Sequence, residues 1–276
     1  MRKYSVPYFF WLILFVVFPS ILIGLMAFTE GDMVDFSTFS FSLNNFIRFF
    51  DSSYIRILID SVLLSFISTL LCFIIGYPAA FIISKMPDKR QGMLILLFVI
   101  PMWMNFLLRT YAWLTLLGDN GIINQFFGFF GLGPFDIIYN NKAVLLGMVY
   151  NFLPFMVLPI YTVLSKMDHS LIEAARDLGA SERQILTKVI FPLSLPGVSS
   201  GVIMVFIPAL STFVIPSLLG GNKSMLIGNV IEQQFRFTGD WHFGAAISFI
   251  LMALMIIWMV FSSKFNIAKE GDGGLW

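Results

Sequence analysis

The sequence is poor in charge, in cysteine and in histidine, and each shortage excludes something. Only 12% of its 276 residues are Asp, Glu, Lys or Arg, about half the charged fraction of a soluble globular domain. With 58% hydrophobic residues, 32 Phe and a mean hydropathy of +0.86, the chain has more apolar surface than one domain of this length can hide from water. Its natural solvent is lipid. A net charge of +1 supplies no basic field and argues against a nucleic-acid partner. The single cysteine, Cys72, excludes an internal disulfide and lies in an apolar run. No G-x-x-x-x-G-K-[ST] phosphate loop is present: Gly221-Asn222-Lys223-Ser224 lacks the required preceding glycine. The chain is therefore expected to bind no cofactor of its own, and any ATP must be held elsewhere.

What is abundant is long apolar runs. Stretches of about 20 residues, enough to cross a bilayer, occur at Tyr8–Phe28, Leu58–Ser84, Met93–Leu117, Ala143–Leu164, Leu195–Leu219 and Gly244–Ser263. The first is too long for a signal-peptide core and no A-x-A-like site follows it, so it reads as an uncleaved anchor. With the N-terminus cytoplasmic, the inner segments hold Arg2, Lys3, Lys85, Lys89, Arg90, Lys166, Arg176, Arg183, Lys188, Lys264 and Lys269, and the outer ones hold only Arg48, Arg56, Lys142, Lys223 and Arg236. This positive-inside bias places both termini in the cytoplasm. Acidic Glu30, Asp32, Asp35 and Asp51 gather outside. Pro101, Pro154, Pro159, Pro208 and Pro216 interrupt spans three to five and predict kinks or local openings. Gly197 and Gly201 form a small-xxx-small pattern that admits a close helix neighbour. The Gly-rich tail 265–276 is expected to be disordered.

Between the fourth and fifth runs lies a charged insert, residues 165–194. Ser170-Leu-Ile-Glu173 and Ser181-Glu-Arg-Gln184 both have the capping-box pattern. Gly179 suits the left-handed residue that ends a helix, and Pro192 is a stop signal. The spacing predicts a helix over about Leu171–Leu178, a tight turn, and a second helix over Glu182–Phe191. Leu171, Ile172, Ala175 and Leu178 form one apolar stripe, and Ile185, Leu186, Val189 and Ile190 another, so both helices should lie along the membrane boundary. Small Ala174 and Ala175 let a partner approach. Glu173, Arg176, Asp177, Glu182 and Arg183 remain for polar contacts with it. A well-capped cytoplasmic loop with no partner is the plainer alternative.

The stretch EAARDLGASERQILTKVIFPLSLPG resembles the EAA loop of binding-protein-dependent ABC transporter permeases, matching at Glu173, Ala174, Ala175, Gly179 and Pro192. The resemblance implies an all-α integral membrane protein with six spans and the type I importer permease fold, a single domain over 1–276. It also implies that the insert, with Arg176 and Asp177, forms a coupling helix seated in a cleft of a cytoplasmic ATPase. GYPAAFIISKMP, LPFMVLPIY, LLGGNKSMLIGNVI and DWHFGAA are similar to spermidine/putrescine permeases. That similarity implies a heteromeric importer in the bacterial cytoplasmic membrane. Its members would be this chain, a second related permease, an ATPase dimer carrying ATP-Mg, and an extracellular or periplasmic polyamine-binding protein.

Span three holds the candidate pathway. Trp103, Phe106, Thr110 and Trp113 are spaced to share one helix face, with Asn105 and Arg109 on another. Aromatic faces attract ammonium groups by about 0.5–2 kcal/mol each, although such stripes also serve as packing or interfacial belts. Arg109 lies near the middle of the span, where a charge costs about 2.5–3.5 kcal/mol. A structural or gating role fits it, the head snorkelling outward or meeting a carbonyl, with anion binding the alternative. No Asp or Glu lies deep in a span: Asp60 sits at the start of span two, and Glu232 and Asp240 lie on the outer segment between spans five and six. Some polyamine permeases carry an acid in the region matching Thr212–Ser217, where this chain has Ser217. The carboxylates are therefore expected from the second permease, with Tyr150, Phe213 and Trp241 adding aromatic surface. Glu232 and Asp240 would contact the external protein or face solvent. An ion-coupled secondary transporter would need midplane carboxylates or unwound repeat helices, and only the prolines point that way. His169 and His242 fall on opposite sides of the membrane in this topology, and no H-E-x-x-H occurs, which argues against a membrane enzyme.

Overall fold

A computed structural model describes residues 2–31 and 40–270. Asp32, Asp35 and the tail residues 271–276 lie outside the described residues. Helix α1 (Arg2–Leu12) widens into a π-turn at Ile13–Val17 and continues as α2 (Phe18–Ala27). A two-residue ribbon follows, β1 (Thr29–Glu30) antiparallel to β2 (Ser40–Phe41). Then come α3 (Asn44–Phe49), α4 (Ser52–Ser84), α5 (Asp88–Trp103), α6 (Phe106–Leu117), α7 (Ile122–Phe129), α8 (Asn141–Ser165), α9 (His169–Asp177) and α10 (Glu182–Ile185). A π-turn at Leu186–Ile190 joins α10 to α11 (Phe191–Ser211). Another at Pro216–Gly220 precedes α12 (Ile227–Gln233), and a last one at Gln234–Thr238 precedes α13 (Trp241–Glu270).

Five helical segments among the described residues are long and apolar enough to cross a membrane: Pro7–Ala27, Ser52–Ser84, Asn141–Ser165, Glu182–Ser211 and Trp241–Val260. The third predicted span opens near Pro101, one of the two outcomes its proline predicts: α5 and the Phe106–Phe129 segment meet at 94°. The break is built into the sequence. Met104 is extended, and the Asn105 side-chain oxygen accepts from the Leu107 and Leu108 N–H groups to start α6 afresh. Pro154 and Pro159, by contrast, sit inside an unbroken α8. Pro208 lies one turn before α11 ends at an extended Thr212. Pro192 does not stop the second insert helix. The helix runs on to Ser211, because the widened turn at Leu186–Ile190 immediately before Pro192 relaxes the backbone where its ring would otherwise clash. Helix α13 runs to Glu270, within the predicted tail.

The chain forms two compact units, Met1–Asp60 with Leu226–Trp258, and Ser61–Met225 with Met259–Trp276. In the first, Ala27, Ala245 and Ala246 are fully buried beneath Phe28, Phe46, Phe235 and Phe249. Small residues on both helices let the rings close over them. In the second, α8 and α11 meet at the glycines singled out by spacing. A Cβ on Gly197 would lie 2.8 Å from the Pro159 carbonyl oxygen, and one on Gly201 2.8 Å from Met156 Sδ. The pattern therefore serves packing inside this unit.

The segment after α6 is pinned by buried Asn124, whose amide donates to the Gly118 and Phe135 carbonyls and accepts from the Phe135 N–H at 3.0 Å. Asn124→Ala leaves these groups unsatisfied at a cost of about 1–3 kcal/mol. Limited proteolysis of the purified protein is expected to cut between Gly118 and Phe135 faster in that variant.

Candidate functional site

The insert folds as two short helices locked across a tight turn. Its first helix starts two residues earlier than predicted. Asp168, not Ser170, is the cap, accepting from the Ser170 N–H at 2.9 Å, so the first predicted capping box is replaced. That backbone hydrogen bond, with the Ser170 side chain second, holds the exposed Asp168 carboxyl below its usual pKa. The second box forms as expected: Gln184 N–H donates to Ser181 Oγ, and Ser181 N–H donates to Gln184 Oε1 at 2.8 Å. Gly179 takes φ +79°, and Ala180 N–H returns to the Ala175 carbonyl at 3.0 Å.

The turn brings together Arg176 and Glu182, two of the residues available for polar contacts with a partner, and both stay exposed. Arg176 Nε and Nη2 both donate to Glu182 Oε1, at 3.0 and 2.9 Å. An exposed pair of this kind contributes only about 0–1 kcal/mol, so its effect is to set the angle between α9 and α10. Glu173, Asp177 and Arg183 remain exposed.

The single apolar stripe of the first helix divides in two. Ile172 and Ala175 are half-buried, and Ile172 faces a small cavity lined also by Phe81, Leu164, Met167 and Ile190. Leu171, Ala174 and Leu178 point outward, Leu178 being 89% exposed. Their spacing, three then four residues, is one face of α9. The same three-then-four spacing is visible in the sequence and marks this second face. Ile185 and Ile190 are buried, which anchors the insert to its unit.

The candidate pathway residues do not share a face. Trp103 ends α5 and is 79% exposed, whereas Phe106, Thr110 and Trp113 lie beyond the 94° bend. Thr110 is fully buried and donates to the Phe106 carbonyl at 2.9 Å. Arg109 does not snorkel outward: only 8% exposed, its guanidinium lies 5.9 Å from the Phe106 ring centre, and Nε and Nη1 have no hydrogen-bond partner among the described residues. Trp113 and Tyr150 come together edge-to-face at 5.4 Å, a pairing that sequence distance concealed. Ser217 Oγ donates to its own helical turn at the Phe213 carbonyl, while the Phe213 ring is 39% exposed.

In the other unit the two candidate acids are already engaged. Glu232 accepts from Arg236 at 2.8 Å, and Asp240 pairs with Arg48, whose guanidinium also stacks 4.0 Å from the Phe243 ring centre. Trp241 packs edge-to-face on Phe235.

Residues 3–267 match the family described as the binding-protein-dependent transport system inner membrane component. The chain is 40% identical over 252 residues to the spermidine/putrescine transport system permease protein PotB of Escherichia coli (strain K12), covering 90% of this chain and 92% of that one. Its fold matches a chain from the crystal structure of a bacterial ABC transporter involved in the import of the acidic polysaccharide alginate. The TM-score is 0.80 at 16% identity, over 97% of this chain and 94% of that one. It also matches the bacterial alginate ABC transporter in complex with an alginate pentasaccharide-bound periplasmic protein, with a TM-score of 0.77 at 16% identity, over 95% and 91% of the two chains. With this architecture and a family match over nearly its whole length, the chain belongs to the inner-membrane permease components of binding-protein-dependent transport systems and has the type I ABC importer permease fold.

Proposed function

We propose that this chain is one permease subunit of an ATP-driven importer for polyamines such as spermidine or putrescine, in the bacterial cytoplasmic membrane with both termini cytoplasmic. The α9–turn–α10 insert is the observation that carries the coupling half of this reading. It is rigidly capped, anchored by Ile185 and Ile190, and holds Leu171, Ala174 and Leu178 outward as an apolar face. Seating Leu178 in a cleft contributes about 1.5–3 kcal/mol, and Glu173 and Asp177 add polar contacts at its edge. An ATPase dimer holds ATP-Mg and moves the seated insert; this chain supplies the lever and half of the path.

The 40% identity to PotB supports the substrate class, and the alginate transporter bound to its periplasmic protein supports an external binding protein as partner. Exposed Trp103 and Phe213 offer ring faces that attract an ammonium group without holding it tightly. Glu232 and Asp240 are neutralised by their own arginines, so the second permease supplies the carboxylates that a polycation needs.

The test is to purify the chain with its co-eluting subunits, reconstitute them, and measure ATPase stimulation by the binding protein loaded with each candidate solute. Stimulation by spermidine or putrescine is expected. Stimulation by an amino acid or an anion, and by no polyamine, overturns the substrate class. Crosslinks from Ala174, on the outward face, that capture no nucleotide-hydrolysing subunit overturn the coupling role.

A further inference from the structure

An open groove of about 320 Å³ runs beside α4, α6 and α8, lined by Leu71, Ile75, Trp113, Leu146, Tyr150 and Lys142. Its volume falls in the range of about 300–1,000 Å³ typical of small-molecule sites. The lining is ordered along α8. Lys142 lies in the first turn and Tyr150 eight residues further in, about 12 Å at the helical rise. Below Lys142 the lining side chains are apolar except for the Tyr150 hydroxyl and the Trp113 indole N–H, and the Trp113–Tyr150 pair forms one wall. Leu146, Tyr150 and Ile75 are each more than a third exposed, so the groove opens to the surface of this unit.

The chemistry selects the occupant. Trp113 and Tyr150 were candidates for a polyamine path, but Lys142 stands over the same groove and repels a polycation. A free inorganic anion satisfies the ammonium and leaves the apolar wall uncovered. A molecule with a negative head and a hydrocarbon tail satisfies both ends, the lysine stem lying along the tail while its head stays polar. We propose that the groove binds one anionic phospholipid, with its phosphate at Lys142 and an acyl chain along Leu71, Ile75 and Leu146 beside the Trp113–Tyr150 pair. A lipid there wedges between the elements flanking the broken third span, so lipid composition would tune the movement of α6 against α4 and α8.

The test uses the assembled importer in nanodiscs carrying either phosphatidylglycerol or phosphatidylcholine with brominated acyl chains, which quench tryptophan on contact. The Trp113 signal is the difference between the wild type and Trp113→Phe. Quenching is expected to show a preference for the anionic lipid of about fivefold, the value of one lysine–headgroup contact. Lys142→Gln is expected to abolish that preference and Lys142→Arg to keep it. Equal quenching by the two lipids overturns the proposal. So does absence of quenching by either, which would mean that the second permease covers the groove. Relief of quenching by spermidine also overturns it, since the groove would then belong to the substrate.

Discussion

Gly179→Val is expected to reduce ATP-driven uptake in proteoliposomes at least to the order of a tenth of wild type, with normal insertion of the chain in the membrane. The reason is confined to the backbone. A Cβ at this position meets no atom within 4 Å, so the side chain finds space; what it cannot adopt cheaply is φ +79°. A β-branched residue is a true outlier there, and the left-handed region costs an ordinary residue about 1–2 kcal/mol. The Arg176–Glu182 pair that sets the helix angle contributes only about 0–1 kcal/mol, so it does not hold the turn against that strain. Under the proposed coupling, the α9 face of Leu171, Ala174 and Leu178 then no longer fits its seat on the ATPase. Each 1.4 kcal/mol lost in seating is about tenfold in the docked population. Gly179→Asn, which tolerates the left-handed region, is expected to keep most of the activity. Glu173→Lys, which reverses an exposed charge on the same helix, is expected to lose it. Wild-type uptake by the Val variant would show that the angle of the insert does not matter.

The second large effect falls on assembly of the bundle. Gly197→Leu is expected to remove most of the folded protein from the membrane, whereas Gly201→Ala lowers the melting temperature only moderately. At Gly197 an added Cβ meets two backbone atoms, the Pro159 carbonyl oxygen at 2.8 Å and Ile160 Cα at 3.0 Å, beside the Val163 side chain, so α8 and α11 must separate along a shared interface. Overpacking of this kind costs about 1–3 kcal/mol per small insertion and more for a whole side chain. At Gly201 the nearest atom is Met156 Sδ, the movable part of an adaptable side chain. Gly92→Ala, where nothing lies within 4 Å, serves as the neutral reference. Thermal unfolding of the purified variants, scored beside their membrane yield, checks the order. Equal loss at Gly197 and Gly92 would mean that the close approach of α8 and α11 contributes nothing.

Much of this protein was legible before its structure because the signals are local. Twenty-residue apolar runs identify five of the crossings. Gly179 and the Ser181–Gln184 box specify the turn between α9 and α10 through backbone and capping hydrogen bonds that reach no further than five residues. The start of α9 was misplaced for an equally local reason: Asp168, closer to the chain entering the helix, captured the Ser170 N–H before Ser170 itself became a cap.

What only the tertiary structure decided depends on groups distant in sequence or on a backbone that leaves the 3.6-residue period. Helical spacing placed Trp103 with Trp113, yet Asn105 restarts the helix between them and sends them apart. A widened turn carries the chain past Pro192, where a regular helix would have stopped. Burial of Arg109 and the capture of Asp240 by Arg48 follow from packing that no window of neighbouring residues contains. The groove under Lys142 arises the same way, from residues on three helices whose membership in one surface exists only once the apolar runs have chosen their neighbours.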